Sequence, residues 1–429
     1  MGATWHGSRP RGTWTKGWWN VKIARYLAAA ALLTSAATGA SEGAPHPAPR
    51  VSGAASVPPP RYKIVDLGTL FPDSPPHNKG RGTPSISITT STTYSTASSM
   101  AYSINDRGQI VGYSDADAPG GEYGSYRAFL WQNGKMSDLG VLPQGTVSVA
   151  RGINDKGQVV GQCTVNNYPH AFLWERGKMR DLGTLGGPMS SALAINNKGE
   201  VVGYSAPAPT MVNGVTRESP WQHSWRLAML WTEQKGMTAL GIFPDTFSST
   251  ANGINNKGQV SGSMVTASPQ SVSAVTWESG KPRVVGHNLD PGGIDNEAGG
   301  INSLGQLATQ EVPQYSKYSR AMPQEQYFPA CVNDAGEAVG MFWRSNDPRG
   351  FPINLTTDDW GPGVTGHAFV WQHGKAYDLN ACLSNRAGWL LTDARGINAK
   401  GQIVGYGFLE SALGHHNYNR KRAFLLMPQ

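Results

Sequence analysis

Short apolar runs alternate with polar turns along the chain, and this pattern recurs as a phrase, I-N-x-x-G-x-x-x-G. The phrase is clear in "GINDKGQVVG" from Gly152 and in "GINAKGQIVG" from Gly396. The other copies place their Asn at Asn105, Asn196, Asn255, Asn302 and Asn333. Apolar runs of this length, punctuated by Asn and Gly, predict two strands joined by a tight turn.

A second phrase follows most copies of the first. It reads "RAFLWQNGKMSDLGVL" from Arg127, "HAFLWERGKMRDLGTL" from His170 and "HAFVWQHGKAYDLNA" from His367. It predicts a further hairpin, so one unit contains four short strands, here called a, b, c and d in chain order. In "AFLW" both faces of strand c are apolar, which indicates a sheet that is buried on both sides.

Repeated four-stranded units predict an all-β fold, a β-propeller. The first and last Asn are 293 residues apart over six intervals, a mean of about 49. Seven copies predict seven blades. Six is the alternative, because only 31 residues separate Asn302 from Asn333.

The two ends of the repeat region complement each other. The last repeat ends with strand c, "RAFLLMPQ", and has no "DLG" strand. The segment "YKIVDLGTL", Tyr62–Leu70, precedes the first "IN" phrase and has no strand c of its own. We therefore expect the N-terminal strand to close the last blade as its strand d.

We interpret the turn as a structural element and not as a ligand site. Asn at the first turn position can bond its own backbone, and Gly at the last tolerates a left-handed conformation. The residue after Asn is Asp106, Asp155, Asn197, Asn256, Ser303, Asp334 or Ala399. A ligand site would not survive that variation within one molecule.

The N-terminal segment predicts export. Residues 1–40 contain five basic residues and no acidic one, and then a short apolar run, "YLAAAALLTSAATGA". This layout is typical of a secretory signal, and the run is too short for a membrane span in the mature protein. Residues 41–60 are rich in Pro, Ala, Gly and Ser and predict a linker. Residues 61–429 form the repeat domain.

Removal of the signal changes the charge argument. The chain has 36 basic and 29 acidic side chains, a formal charge of +7. Without the signal these become 31 and 29, a charge of +2, so no basic excess favours nucleic acid.

The His170-Ala171-Phe172 and His367-Ala368-Phe369 triplets, "INDKGQVVG" and "DLGTL" resemble the probable extracellular repeat family called HAF. The resemblance covers nearly all of residues 62–427. It implies export and a propeller-like repeat, and it carries no catalytic residues with it.

Known catalytic motifs are not found in the sequence, which contains no GxxxxGK[ST], HExxH, GxSxG or paired CxxC. The three cysteines, Cys163, Cys331 and Cys382, read as isolated small hydrophobes, with a Cys331–Cys382 pair as the alternative. We expect no cofactor. "DADAPGGE" has calcium-like spacing of Asp115, Asp117 and Glu122, but a solvated acidic loop is the simpler interpretation.

The links between strands b and c vary most in length, and like the d–a links they must leave the ring on one face. These loops are rich in aromatic residues, which suit a glycan or protein surface. The predicted ligand-binding residues are Tyr123, Tyr126, Trp221, Trp225, Trp343 and Trp360.

We therefore expect an exported propeller that binds an extracellular glycan or protein without catalysis. One alternative is a propeller hydrolase or lyase that acts on glycans. Another is a purely structural surface protein, whose loop aromatics would be buried.

Overall fold

A computed structural model describes residues 58–70, 98–116, 126–208, 211–212, 215–216, 226–244, 246–267, 270–289, 299–308, 325–344, 366–409 and 421–429. All of them belong to one compact unit, residues 58–429. They form strands and turns and no helix. The described part of the chain accordingly offers no helix of the length and hydropathy that a membrane crossing requires.

In chain order the strands are β1 (Tyr62–Asp66), β2 (Ser99–Ile104), β3 (Ile110–Asp115), β4 (Tyr126–Gln132), β5 (Lys135–Asp138), β6 (Gly145–Ile153), β7 (Val159–Val165), β8 (Tyr168–Glu175), β9 (Lys178–Asp181), β10 (Gly186–Ile195), β11 (Val201–Pro207), β12 (Met211–Val212), β13 (Val215–Thr216), β14 (Leu227–Thr232), β15 (Gly236–Ala239), β16 (Thr246–Ile254), β17 (Val260–Ala267), β18 (Gln270–Glu278), β19 (Lys281–Leu289), β20 (Glu325–Val332), β21 (Ala338–Arg344), β22 (Gly366–Gln372), β23 (Lys375–Asp378), β24 (Trp389–Ile397), β25 (Ile403–Leu409) and β26 (Lys421–Pro428).

These strands build six antiparallel four-stranded sheets, the blades of a β-propeller. Blades I and II are β2–β5 and β6–β9. Blade III is β10-β11-β14-β15, with the small hairpin β12-β13 between its second and third strands. Blades IV and V are β16–β19 and β20–β23. Blade VI has the order β1-β26-β25-β24.

The seven-bladed expectation is wrong, and the alternative of six four-stranded blades is correct for the described residues. The copy at Asn302 contributes a turn with a single bridge between Ile301 and Leu307. The 31 residues from Asn302 to Asn333 are too few for a full unit of about 49. The copy at Asn302 forms a turn at the centre of the ring, and among the described strands it does not form a blade.

Strand β1 lies at the outer edge of blade VI. It pairs antiparallel with β26, from Tyr62 opposite Pro428 to Asp66 opposite Phe424. The Tyr62 side chain is buried, and its backbone N–H donates to the Cys382 carbonyl at 2.9 Å. The Asp66 carboxylate accepts a hydrogen bond from Arg422 Nη2 at 3.0 Å. The two ends of the propeller chain thus share one sheet.

The "AFLW" strands are buried on both faces, as their sequence predicts. Phe129 and Phe172 are fully buried, as are Ala128 and Ala171 beside them. Phe172 of blade II packs into one cluster with Val111 and Ala128 of blade I. Each blade therefore packs against its neighbour over an apolar face, which contributes most of the free energy of burial.

A serine hydroxyl joins blades at four junctions. Ser148 Oγ of blade II donates to the Gly140 carbonyl at 2.7 Å and accepts from Ala128 N–H of blade I at 2.9 Å. Ser99, Ser190 and Ser249 accept the equivalent bond from the preceding blade. This bond satisfies the free N–H of the "AF" strand and fixes the distance between blades.

Candidate functional site

A closed ring of asparagine hydrogen bonds surrounds the centre of the tight-turn face. Each Asn Nδ2 of the repeated phrase donates to the backbone carbonyl of the next Asn, at 2.9–3.1 Å. The ring runs through all seven copies, and Asn398 completes it by donating to Asn105. All seven side chains are buried.

The remaining capacity of each asparagine is used within its own turn. Asn154 Oδ1 accepts from the backbone N–H of Lys156 at 3.1 Å and of Gln158 at 3.0 Å. Asn154 Nδ2 also donates to Gln158 Oε1 at 2.7 Å. Gly157 at the end of the turn has φ 81°, as the sequence predicts. The phrase is therefore a structural turn, and the prediction that it is not a ligand site agrees with its geometry.

The asparagine ring surrounds an opening of about 210 Å³. Its wall consists of the Asn residues, the apolar residue before each of them and the residue after. At five of the seven positions the residue after Asn donates its N–H to the side chain of its counterpart in the next copy, as Asp106 does to Asp155 at 3.0 Å. These bonds make the opening a structural junction, where the repeated turns are joined to one another.

The last glycine of the phrase marks a β-bulge in the innermost strand. A Cβ on Gly161 would lie 1.9 Å from the Val149 carbonyl oxygen, and the five equivalent glycines give 1.8–2.0 Å. The pairing register shifts at this point in every blade, as between Ala150 and Gly152 in blade II. Only glycine lets strand b approach the bulged strand so closely.

The extra residue of each of the six bulges lies three positions before the ring asparagine, and Gly299 has the same place in the copy at Asn302. We call these seven places the bulge positions. In order around the axis they are Arg395, Tyr102, Arg151, Leu193, Asn252, Gly299 and Ala330. The strands that carry them contact one another from blade to blade, so they are the innermost strands. Along the strand the bulge positions are about 10 Å from the asparagine ring, toward the long-loop face.

Three tyrosines form a continuous row from the long-loop face to the bulge positions, and we call them the aromatic row. Tyr126 begins β4, where the long link of blade I ends, and its ring centroid is 5.2 Å from that of Tyr113. Tyr113 is 6.0 Å from Tyr102, and the Arg151 guanidinium lies 4.5 Å from the Tyr102 ring centroid. Burial, with the nearby Tyr102 and Asp115, raises the pKa of Tyr113, so this phenol is uncharged at neutral pH.

A charged group borders this row on blade VI. Asp393 is 2 % exposed, and its Oδ2 accepts from Arg395 Nε at 2.7 Å and from the Tyr406 hydroxyl at 3.1 Å. Burial and the Asp393 charge raise the pKa of Tyr406, which therefore remains a hydrogen-bond donor. The Asp393 carboxylate is compensated by Arg395, whereas Arg151 has no carboxylate within ion-pair distance among the described residues.

The structure describes two of the six predicted ligand-binding residues. Tyr126 is half-buried in the aromatic row, and Trp343 belongs to β21. Tyr123, Trp221, Trp225 and Trp360 lie outside the described residues. Their contribution to binding stays a prediction.

The other candidate chemistry is partly described. Asp115 Oδ2 accepts from the Ser98 N–H at 2.8 Å, while Asp117 and Glu122 lie outside the described residues. No group of three metal-ligating side chains occurs in the described part of the chain. Cys163, Cys331 and Cys382 are free thiols, so the structure does not contain the alternative pair. His170 and His367 bond Asp181 and Asp378 of the "DLG" and "DLN" phrases, at 2.8 and 2.7 Å.

Sequence reasoning missed the bulge positions, although the sequence carried a signal. In the clear copies, the residues around this position are small or apolar and nearly constant. The bulge position itself is Tyr, Arg, Leu, Asn or Arg in those copies. A variable position inside a regular repeat marks the place where the scaffold does not dictate the side chain.

The fold and this central site define the chain as a six-bladed β-propeller. No protein-family model matches the sequence, and no curated protein matches it.

Among solved structures, the chain is similar to a putative gluconolactonase (10% identity, 86% of this chain and 92% of that chain, TM-score 0.38). It is also similar to a gluconolactonase from Xanthomonas campestris (9%, 87% and 96%, TM-score 0.38) and to the β-propeller domain of the Trilobed protease from Pyrococcus furiosus (7%, 78% and 83%, TM-score 0.36).

Proposed function

We propose that this protein is an exported propeller that binds an extracellular glycan or protein through its long-loop face, without catalysis. The aromatic row is the observation that carries the proposal. It links Tyr126, where a long loop meets the scaffold, to Tyr102 and Arg151 near the axis. Rigid aromatic surface at the base of variable loops is the usual composition of a recognition site. Export follows from the predicted signal in residues 1–40 and from the resemblance to the HAF family.

The distribution of carboxylates favours binding over glycan hydrolysis. A glycosidase uses two carboxyl groups that face the scissile bond from about 5–10 Å apart. Among the described residues Asp393 is the one buried carboxylate, and Arg395 holds it in an ion pair. That arrangement compensates the charge of Asp393. A hydrolase or lyase acting on glycans is the alternative function.

A glycan array probed with residues 41–429 tests the proposal, followed by calorimetric titration of the first ligand found. We expect Trp225→Ala and Trp360→Ala each to weaken binding by about 1–2 kcal/mol if these side chains are anchors. Lys178→Ala and Lys156→Ala change the opposite, tight-turn face and serve as controls. Loss of affinity in the lysine variants alone would show that the site lies on the tight-turn face, which contradicts the proposal. Degradation of the bound glycan during incubation would favour the hydrolase or lyase.

A further inference from the structure

The tight turns carry a basic residue at two repeated places. In each of the six blades a lysine lies within one residue of the start of the outer strand: Lys63, Lys135, Lys178, Lys235, Lys281 and Lys375. In the inner turns the second residue after the ring asparagine is basic in five of the seven copies: Arg107, Lys156, Lys198, Lys257 and Lys400. All eleven side chains are exposed. Because both kinds of turn leave the blades at the same end, these side chains form an outer and an inner ring on one surface, which we call the basic face.

The charge of the propeller is distributed unevenly between this surface and the rest of the chain. The tight turns and the paired chain ends of blade VI contain 13 basic and 8 acidic side chains, a formal charge of +5. The remainder of residues 61–429 contains 17 basic and 20 acidic side chains, a formal charge of −3. The counted turns and ends are residues 61–63, 105–109, 132–135, 154–158, 175–178, 196–200, 232–236, 255–259, 278–281, 302–306, 333–337, 372–375, 398–402 and 427–429. A nearly neutral domain thus presents one positive surface.

The acidic side chains of the inner turns are held at the central ring. Asp106, Asp155 and Asp334 each accept a backbone N–H from a neighbouring turn at 2.8–3.0 Å. Glu200 and Glu337 are half-buried and accept from ring asparagines at 2.6 and 2.7 Å. By contrast, no side chain of the basic face lies within ion-pair distance of a carboxylate among the described residues. The positive charges are therefore free to meet an anionic partner.

The path of the chain gives this surface a direction. Tyr62 pairs with Pro428 at the tight-turn end of blade VI, and the Gln429 N–H donates to the Arg61 carbonyl at 3.0 Å. Residues before Arg61 therefore join the propeller at the basic face. The linker and the apolar run of the expected signal are attached at this end of the propeller and not at the long-loop end.

We infer that the basic face binds the surface of a membrane that contains anionic lipids. Lysines near such a surface are attracted by its negative potential, and two rings of them suit a flat array of phosphates better than a single linear polyanion. Leu304 occupies the inner-turn place that is basic in most copies and is 65 % exposed, so it can enter the headgroup region, where a soluble polyanion offers no apolar contact. Binding in this orientation turns the long-loop face away from the membrane. The inference goes beyond the proposed function and shares with it only the expectation of export.

Co-sedimentation of residues 41–429 with vesicles tests the inference. One set of vesicles contains phosphatidylcholine alone, and the other contains equal parts of phosphatidylcholine and phosphatidylglycerol. We expect at least about ten-fold tighter binding to the anionic vesicles, and weaker binding as salt is added. The double variant Lys135→Gln, Lys178→Gln should bind the anionic vesicles about ten-fold or more weakly. Arg226→Gln with Lys421→Gln is the matched control, because it removes the same charge at the long-loop ends of β14 and β26 and should bind as the wild type does.

Three results would overturn the inference. Equal binding to the two kinds of vesicle would show that lipid charge is not recognised. Equal losses in the two double variants would show that net charge acts without a specific face. Binding of soluble polyphosphate without binding to anionic vesicles would identify a linear polyanion as the partner. Thermal melts of each variant separate loss of the surface from loss of the fold. The glycan array and the tryptophan variants do not depend on vesicles, so failure of this inference leaves the proposed function standing, and failure of the proposed function leaves this inference standing.

Discussion

Replacement of one ring asparagine tests whether the central hydrogen bonds hold the blades together. Asn154→Ala removes the bond from Nδ2 to the Asn196 carbonyl at 3.0 Å and three bonds within the turn, at 2.7, 3.0 and 3.1 Å. Each such bond contributes about 0.5–1.5 kcal/mol net. Some of the released groups lie near the surface and regain water, so we expect a loss of about 2–4 kcal/mol in the free energy of unfolding.

Two neighbouring substitutions calibrate this value. Asp155→Ala removes the bonds from Asp106 N–H and Asn197 Nδ2, both partly exposed, and should cost about 1 kcal/mol or less. Ala399 already occupies the equivalent place in the last copy. Gly157→Val should cost about 1 kcal/mol or more, because φ is 81° and valine avoids that region.

Urea denaturation followed by tryptophan fluorescence gives the unfolding free energies of these variants. Asn256→Ala is the comparison variant, because it leaves Asn255 in place and removes the bond that the exposed Asn256 side chain accepts from the Asn197 N–H at 2.8 Å. If Asn154→Ala and Asn256→Ala lose the same free energy, the ring does not stabilise the propeller in the way argued. An Asp155→Ala variant less stable than Asn154→Ala would show instead that the residue after Asn carries the essential role.

Three further predictions follow from the scaffold. Deletion of residues 58–70 should lower the melting temperature and favour association, because it exposes the edge of β26; an unchanged, monomeric protein would contradict this. Gly161→Ala should prevent stable folding, because its Cβ would lie 1.9 Å from a carbonyl oxygen. In Gly177→Ala the new Cβ meets no atom within 4 Å, so this variant should lose only about 1 kcal/mol, for its positive φ. Thermal melts of both variants test this difference. Burial favours the neutral form of Asp378, but hydrogen bonds from His367 and Asn380 outweigh burial and hold the pKa below its ordinary value. The Asp378 carboxylate therefore stabilises the fold above about pH 4, and this stabilisation is lost as pH falls through the lowered pKa. The difference in urea midpoint between the wild type and Asp378→Asn should therefore shrink from pH 6 to pH 3, and a constant difference would refute the assignment.

Much of the fold can be predicted from the repeated phrases, because each phrase specifies the local backbone geometry. Asn154 and Gly157 specify a turn within four residues, and "AFLW" reports burial on both faces. The number of blades is harder to read, since the turn at Asn302 keeps the local signature without a four-stranded sheet. The motif specifies only a turn. The outer strands of a blade are encoded by sequence beyond the motif, so the number of motifs does not give the number of blades.

The candidate site was harder to predict than the scaffold. Arg151 and Asn252 are 101 positions apart in sequence and share a level only because bulges recur at the same place in each blade. The bulge is visible indirectly, through glycines such as Gly161 that leave no room for a side chain. The contacts among Tyr102, Tyr113 and Arg151 depend on how adjacent blades pack, which no single repeat contains.

The closed asparagine ring also determines when in time the fold can be completed. Its last bond joins Asn398 to Asn105, 293 residues apart, and the Arg422–Asp66 pair of blade VI spans 356 residues. Both contacts join distant parts of the chain, and the entropy of closing such long loops is lost before the contacts repay it. Folding should therefore be slow and end with blade VI. A chain that stops before β24 lacks the neighbour that covers β2, and its first blade stays open to other chains until synthesis is finished.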